Sequence, residues 1–160
     1  MELNTALSER ITAPLALEAT RFEIAGDPPI ENLAGGWHPD VYDGDPSAPY
    51  ESFASGTWAA GALVSTSGDV QAFLAALVGG ELFSDSALAE MTDPGVDGYG
   101  LGLEILGLPS GQIYYGHRGE VVGYLSFAGI EPTTGDSIVV LTNNVALRPT
   151  VLSDQLTAEW

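Results

Sequence analysis

Four closely spaced strand-like runs in the second half of the chain constrain its fold more than any other feature. Tyr99–Leu106 alternates between apolar and small or polar residues. Ile113–Gly119 and Tyr124–Ile130 follow, then Ser137–Thr142 after the turn sequence Pro132-Thr-Thr-Gly-Asp136. Runs of this length bounded by turn residues read as strands. The last is apolar throughout Ile138–Leu141, which predicts a central strand.

Ahead of these runs the periodicity is helical. Val70, Phe73, Leu74, Leu77 and Val78 recur at the spacing of one helix face within residues 65–78. Thr66 or Ser67 can cap this helix, Asp69 sits in its first turn, and Gly79-Gly80 offers a left-handed exit. A second short helix is predicted with Ser84 as cap and Leu88 and Met91 turned inward. At the start of the chain Leu3, Leu7 and Ile11 form a helical stripe that Pro14 should end. Residues 25–57 are rich in proline, glycine and aspartate and read as one long loop. A closing helix is expected over 149–160. These segments divide a single domain into 1–24, 25–57, 58–95 and 96–160.

Charge removes whole classes of function. The chain of 160 residues carries 22 acidic against 4 basic residues, a net charge of -18. Such a surface repels nucleic-acid phosphates and anionic lipid, so no nucleic-acid partner is expected. All four basic residues are arginines (Arg10, Arg21, Arg118, Arg148). Without lysine, the chain can supply neither a Schiff base nor a lysine general base. Without cysteine, it can supply no thiolate nucleophile or sulfur-ligated zinc. No apolar run is long enough to span a membrane as a helix, and nothing in the sequence fixes a compartment.

The chemistry-bearing residues are few. No Gly-x-Ser-x-Gly elbow is present, and Gly123-Tyr-Leu-Ser126-Phe-Ala-Gly129 has the wrong spacing for one. His38, Asp40, Asp43 and Asp45 cluster within eight residues, but without the spacing of a calcium loop; a solvated turn is the plainer reading. No metal or cofactor is expected. His117 stands between Gly116 and Gly119 in a predicted strand. Glycine there marks a bulge or the close approach of another backbone or a ligand, although a lone strand histidine also serves as a hydrogen-bonded structural residue.

Five segments in order resemble the C-terminal half of the penicillin-recognising serine hydrolases: class C β-lactamases, D-Ala-D-Ala carboxypeptidases and related esterases. They are Ile11–Phe22, Trp58–Phe73, Tyr99-Gly-Leu-Gly-Leu103, Tyr115-Gly-His-Arg-Gly119 followed by Gly123-Tyr124, and Ile138-Val-Val-Leu-Thr-Asn143. The fourth resembles the family's third motif, written H/K-x-G.

The resemblance implies an α+β fold: an antiparallel sheet of three to four strands with flanking helices, a C-terminal portion of the β-lactamase/transpeptidase-like fold. It implies that His117 polarises an active site, that Gly119 lets substrate lie against the strand, and that the backbone N–H of Glu120 is one oxyanion-hole donor. Arg118, Trp58 and Tyr99 are carried with them as candidate substrate-binding residues. Arg118 could instead pair with one of the many acids. The family's Ser-x-x-Lys and Tyr-x-Asn motifs are absent from this sequence. The chain is therefore expected to be silent alone and to meet a small-molecule substrate only in company with an N-terminal half. Half of a split enzyme, or a non-catalytic binding protein on the same scaffold, are the alternatives. The resemblance also leaves an unpaired strand edge at Ile138–Leu141, where a homodimer or partner chain could dock.

Overall fold

The computed structural model describes residues 2–22, 30–38, 56–95 and 98–149. The loop expected over 25–57 is seen only at 30–38 and 56–57. Asp40, Asp43, Asp45 and all but the first residue of the expected closing helix lie outside the described residues.

The four predicted strands form one antiparallel meander. β3 (Glu104–Gly107), β4 (Ile113–Val121), β5 (Tyr124–Ile130) and β6 (Ser137–Thr142) lie in that order across the sheet. A separate two-stranded ribbon joins β1 (Arg21–Phe22) to β2 (Leu63–Val64). The mixed α+β architecture is as expected, with two local differences.

First, β6 occupies one end of the four-stranded order, where its apolar run predicted a central place. Its apolar residues serve two faces instead. Ile138 and Val140 join the core, while Leu141 on the alternate face is exposed. Second, the strand expected over Tyr99–Leu106 begins only at Glu104. Gly98 and Gly102 take left-handed backbone (φ 74° and 76°), which folds Tyr99–Leu103 into a tight loop. Gly100 donates to the Leu103 carbonyl (2.8 Å) and Leu101 to the Met91 carbonyl (3.0 Å). A side chain at Gly100 would strike that Met91 carbonyl oxygen.

The helices follow their caps. α2 (Ser67–Val78) starts where Thr66 Oγ1 accepts from the Asp69 N–H, buries Leu74, Ala76 and Leu77, and lies against β5 and β6. α3 (Asp85–Thr92) starts where Ser84 Oγ accepts from the Ala87 N–H. The first helix departs from prediction. α1 (Leu3–Leu7) passes into a wider π-helical turn over Ser8–Thr12, where the Ala13 N–H reaches back five residues to the Ser8 carbonyl. Pro14 contributes no N–H and would crowd the carbonyl four residues before it, so a widened turn suits the approach to it. Leu3 and Leu7 still pack on Phe22 and Ala62. Asp69 ties this region to α2, accepting from the Ala19 N–H (3.0 Å) and the Thr20 hydroxyl (2.8 Å).

The main core lies on one face of the sheet, where Leu106, Leu108, Tyr114, Phe127 and Ile138 meet. Tyr114 is wholly buried at its centre. Among the described residues no helix is long and apolar enough to cross a membrane.

Candidate active site

The candidate site follows from the pairing of β4. β3 pairs with its first half only, from Gly107 opposite Ile113 to Glu104 opposite Gly116. β5 pairs with it from Tyr115 to Val121. Residues 117–121 therefore have a strand on one side only, among the described residues.

The direction of the free backbone groups is set by the hairpin. Val121 and Tyr124 face each other across a two-residue turn. The closing pair of such a hairpin exchanges hydrogen bonds, and bonded pairs alternate along an antiparallel ladder. Val121, Gly119 and His117 thus bond to β5. Arg118 and Glu120 turn their N–H and C=O groups toward the open edge. This is the orientation that the N–H of Glu120 needs to serve as an oxyanion donor.

Side chains alternate the other way. His117, Gly119 and Val121 share one face with Ser126 and Ala128 of β5, while Arg118 and Glu120 fall on the face of Tyr114. A side chain at Gly119 would run into Ser126 Oγ. The flat surface there is a consequence of glycine opposite a small residue.

His117 is exposed yet engaged at both ring nitrogens. Nε2 lies 2.8 Å from the Tyr99 hydroxyl, and Nδ1 contacts the Arg118 carbonyl oxygen. The rings of Tyr99 and His117 meet edge to face, centroids 5.7 Å apart at 86°. The tight glycine loop before β3 aims Tyr99 at this point.

The other candidates are placed as follows. Arg118 Nε pairs with Glu104 Oε2 at 2.7 Å, a diagonal cross-strand contact on the face opposite His117. Glu120 meets Arg148 at 3.4 Å with both side chains exposed. Trp58 is more than half exposed and holds left-handed backbone (φ 41°), a strained choice for a bulky residue. Its turn continues to Gly61, which is flush against Val121 at the end of the open edge.

The structure thus brings Tyr99, His117 and Gly119 together, puts Trp58's turn at the strand's end, and turns the side chains of Arg118 and Glu120 away. Residues 33–37 are fastened across the same end. The Tyr124 hydroxyl donates to the Ala34 carbonyl (2.7 Å), Asn143 Nδ2 to the Gly35 carbonyl (2.7 Å), and the Trp37 N–H to the Asn143 carbonyl (2.8 Å). Among the described residues no group of three or more histidine, aspartate or glutamate side chains could hold a metal ion.

Two relations are not apparent from the sequence: Tyr99 to His117, and Arg118 to Glu104. The first had a signal. Glycines at 98, 100 and 102 around Tyr99 are a loop pattern as much as a strand pattern.

Known proteins share this fold. The D-stereospecific amidohydrolase of Streptomyces sp. superposes with a TM-score of 0.73 at 31% identity, over 88% of this chain and 44% of that one. The D-amino acid amidase of Ochrobactrum anthropi SV3 does so with 0.79 at 28% identity, over 98% of this chain and 51% of that one. The same amidase in complex with L-phenylalanine amide gives 0.77 at 27%. The chain spans about half the length of these solved structures. The Beta-lactamase family model matches residues 1–157. With an H-x-G strand on an open sheet edge, and with that match over nearly its whole length, the chain belongs to the Beta-lactamase family.

Proposed function

We propose that this chain supplies the substrate-facing strand of a serine amidohydrolase acting on amides of small D-amino acids. The observation that carries the reading is the open edge at 117–121. Its outward Glu120 N–H, the flat step at Gly119 and the His117–Tyr99 pair stand side by side there.

In the reaction a serine oxygen attacks the amide carbonyl. The C–N bond breaks, the amine leaves with a proton, and water then hydrolyses the acyl ester. The edge strand holds the substrate backbone, the Glu120 N–H receives the developing oxyanion, and His117 polarises the region between them. The serine and its lysine base come from a Ser-x-x-Lys motif that this lysine-free sequence does not hold. By itself the chain is catalytically silent, and the polypeptide bearing that motif docks along the outer edge of β6. The amidase neighbours support amides over β-lactams or esters as the substrate class.

The test has two arms. The chain alone, assayed with D-phenylalanine amide, a β-lactam and an ester, should match buffer. Turnover clearly above buffer that one serine substitution abolishes would overturn the silent reading. In a chimera joining the first half of the Ochrobactrum amidase to this chain, D-phenylalanine amide should be hydrolysed. His117→Ala should lower that rate roughly 100-fold.

A further inference from the structure

We infer that Tyr99 is a positioning residue that, together with the Arg118 carbonyl, locks His117 in the tautomer with its proton on Nδ1 and presents Nε2 only to the Tyr99 hydroxyl. The inference deepens the reading of this strand as a catalytic edge.

It rests on donor and acceptor arithmetic. A carbonyl oxygen has lone pairs and no proton, so the contact between Nδ1 and the Arg118 oxygen requires the proton on Nδ1. A neutral ring then has a bare Nε2, which can only accept. The Tyr99 hydroxyl at 2.8 Å is the donor it accepts from. The carbonyl is available because Arg118 turns its backbone outward at the open edge, where among the described residues no strand competes for it. The hydroxyl is held because Tyr99 sits in a loop closed by the bond from Ile105 N–H to the Gly98 carbonyl (3.1 Å).

One consequence concerns what a substrate meets. Both ring nitrogens of His117 are engaged within the chain. Tyr99 is 46% exposed, and its hydroxyl oxygen keeps a further lone pair beyond its bond to Nε2. Its remaining lone pair is the group that a substrate N–H can reach. The imidazole acts as the fixed support behind it.

Nitrogen-15 NMR of the imidazole rings reads this directly, in the 160-residue chain and without substrate. Its outcome is therefore separate from whether any amide is hydrolysed. The spectra are taken at about pH 8.5, two units above the ordinary imidazole value. His117 should show a protonated Nδ1 and a bare Nε2, the reverse of a free histidine side chain. In Tyr99→Phe the preference should weaken roughly fivefold, the worth of one hydrogen bond. His38, the other histidine, should keep its signals and so report that the variant is folded. A protonated Nε2 on His117 in the unaltered chain overturns the inference. So does a Tyr99→Phe spectrum in which the His117 pattern is unchanged.

Discussion

The two halves of β4 are one strand built for two purposes. Ile113–Gly116 pairs with β3 along its whole length and from Tyr115 with β5 as well, and it carries Tyr114 and Gly116, both buried. Beyond Gly116 the strand has one neighbour among the described residues, and His117, Arg118 and Glu120 are exposed. The division falls where β3 ends, and β3 ends because Gly102 and its flanking loop turn the chain away. An open edge is thus made by stopping a neighbouring strand early. The sheet supplies rigidity up to that point and unpaired backbone after it.

The glycines on either side of the division give the sharpest way to break the comparison. An added Cβ at Gly116 would meet the Ala128 carbonyl oxygen and lie 2.7 Å from Gly129 Cα, both backbone atoms with nowhere to move. At Gly119 the obstacle is Ser126 Oγ, which can rotate about one bond. Gly116→Ala should therefore cost about 3 kcal/mol of folding stability and Gly119→Ala about 1. In the chimera proposed above, the second should nonetheless lower turnover, by filling the flat step proposed to carry substrate. Urea titration of the two variants decides it. Equal costs would mean that the two halves do not differ in rigidity.

Much of this division was legible in the sequence. The runs at 113–119, 124–130 and 137–142 and the caps Thr66 and Ser84 were visible, because alternation and capping are local properties. The H-x-G segment and its glycines were visible as well. What escaped depends on contacts distant in sequence. Nothing in Tyr99-Gly-Leu-Gly-Leu103 distinguishes a strand from a loop until Met91 is known to sit behind Gly100. The apolar run in β6 reads as central from composition alone. Only its position beyond β5 shows that Ile138 and Leu141 serve opposite faces. The partner of Arg118 was unreadable for another reason: in a chain with 22 acids, any arginine has many candidates.

The packed half makes its own prediction through Tyr114. Its side chain is fully buried, and its hydroxyl has no hydrogen-bond partner among the described residues. Burial pushes the phenol above its ordinary 10.0, and the carboxylates of Asp136 and Glu131 add to the shift. Tyr114→Phe removes an unsatisfied group without removing the ring, so it should raise stability by about 1 kcal/mol at neutral pH. The sign of the pH effect follows from linkage. Below 10.0 both states hold the proton and the contribution of the raised pKa is fully present. As pH rises further, the unfolded chain releases its proton first, so stability is lost up to the folded value. Above pH 10 the advantage of Tyr114→Phe over the native chain should therefore widen. Parallel stability curves for the two proteins across that range would contradict the burial of the phenol.

The smallest effect belongs to the exposed half. Arg118 and Glu104 meet at 2.7 Å, but the arginine side chain is 56% exposed. Exposed ion pairs give little, because the gain in charge attraction is offset by ordering two long side chains. Arg118→Ala should cost at most about 0.5 kcal/mol at low salt, and less at roughly 0.5 M salt, where the Debye length falls to a few ångströms. A double-mutant cycle with Glu104→Ala isolates the pair from any other effect of shortening Arg118. A coupling that persists undiminished in salt would place this pair with the packed half of β4 and move the division one residue or more toward Val121. A coupling that vanishes in salt leaves the division at Gly116, with Arg118 contributing to the site through its backbone rather than its charge.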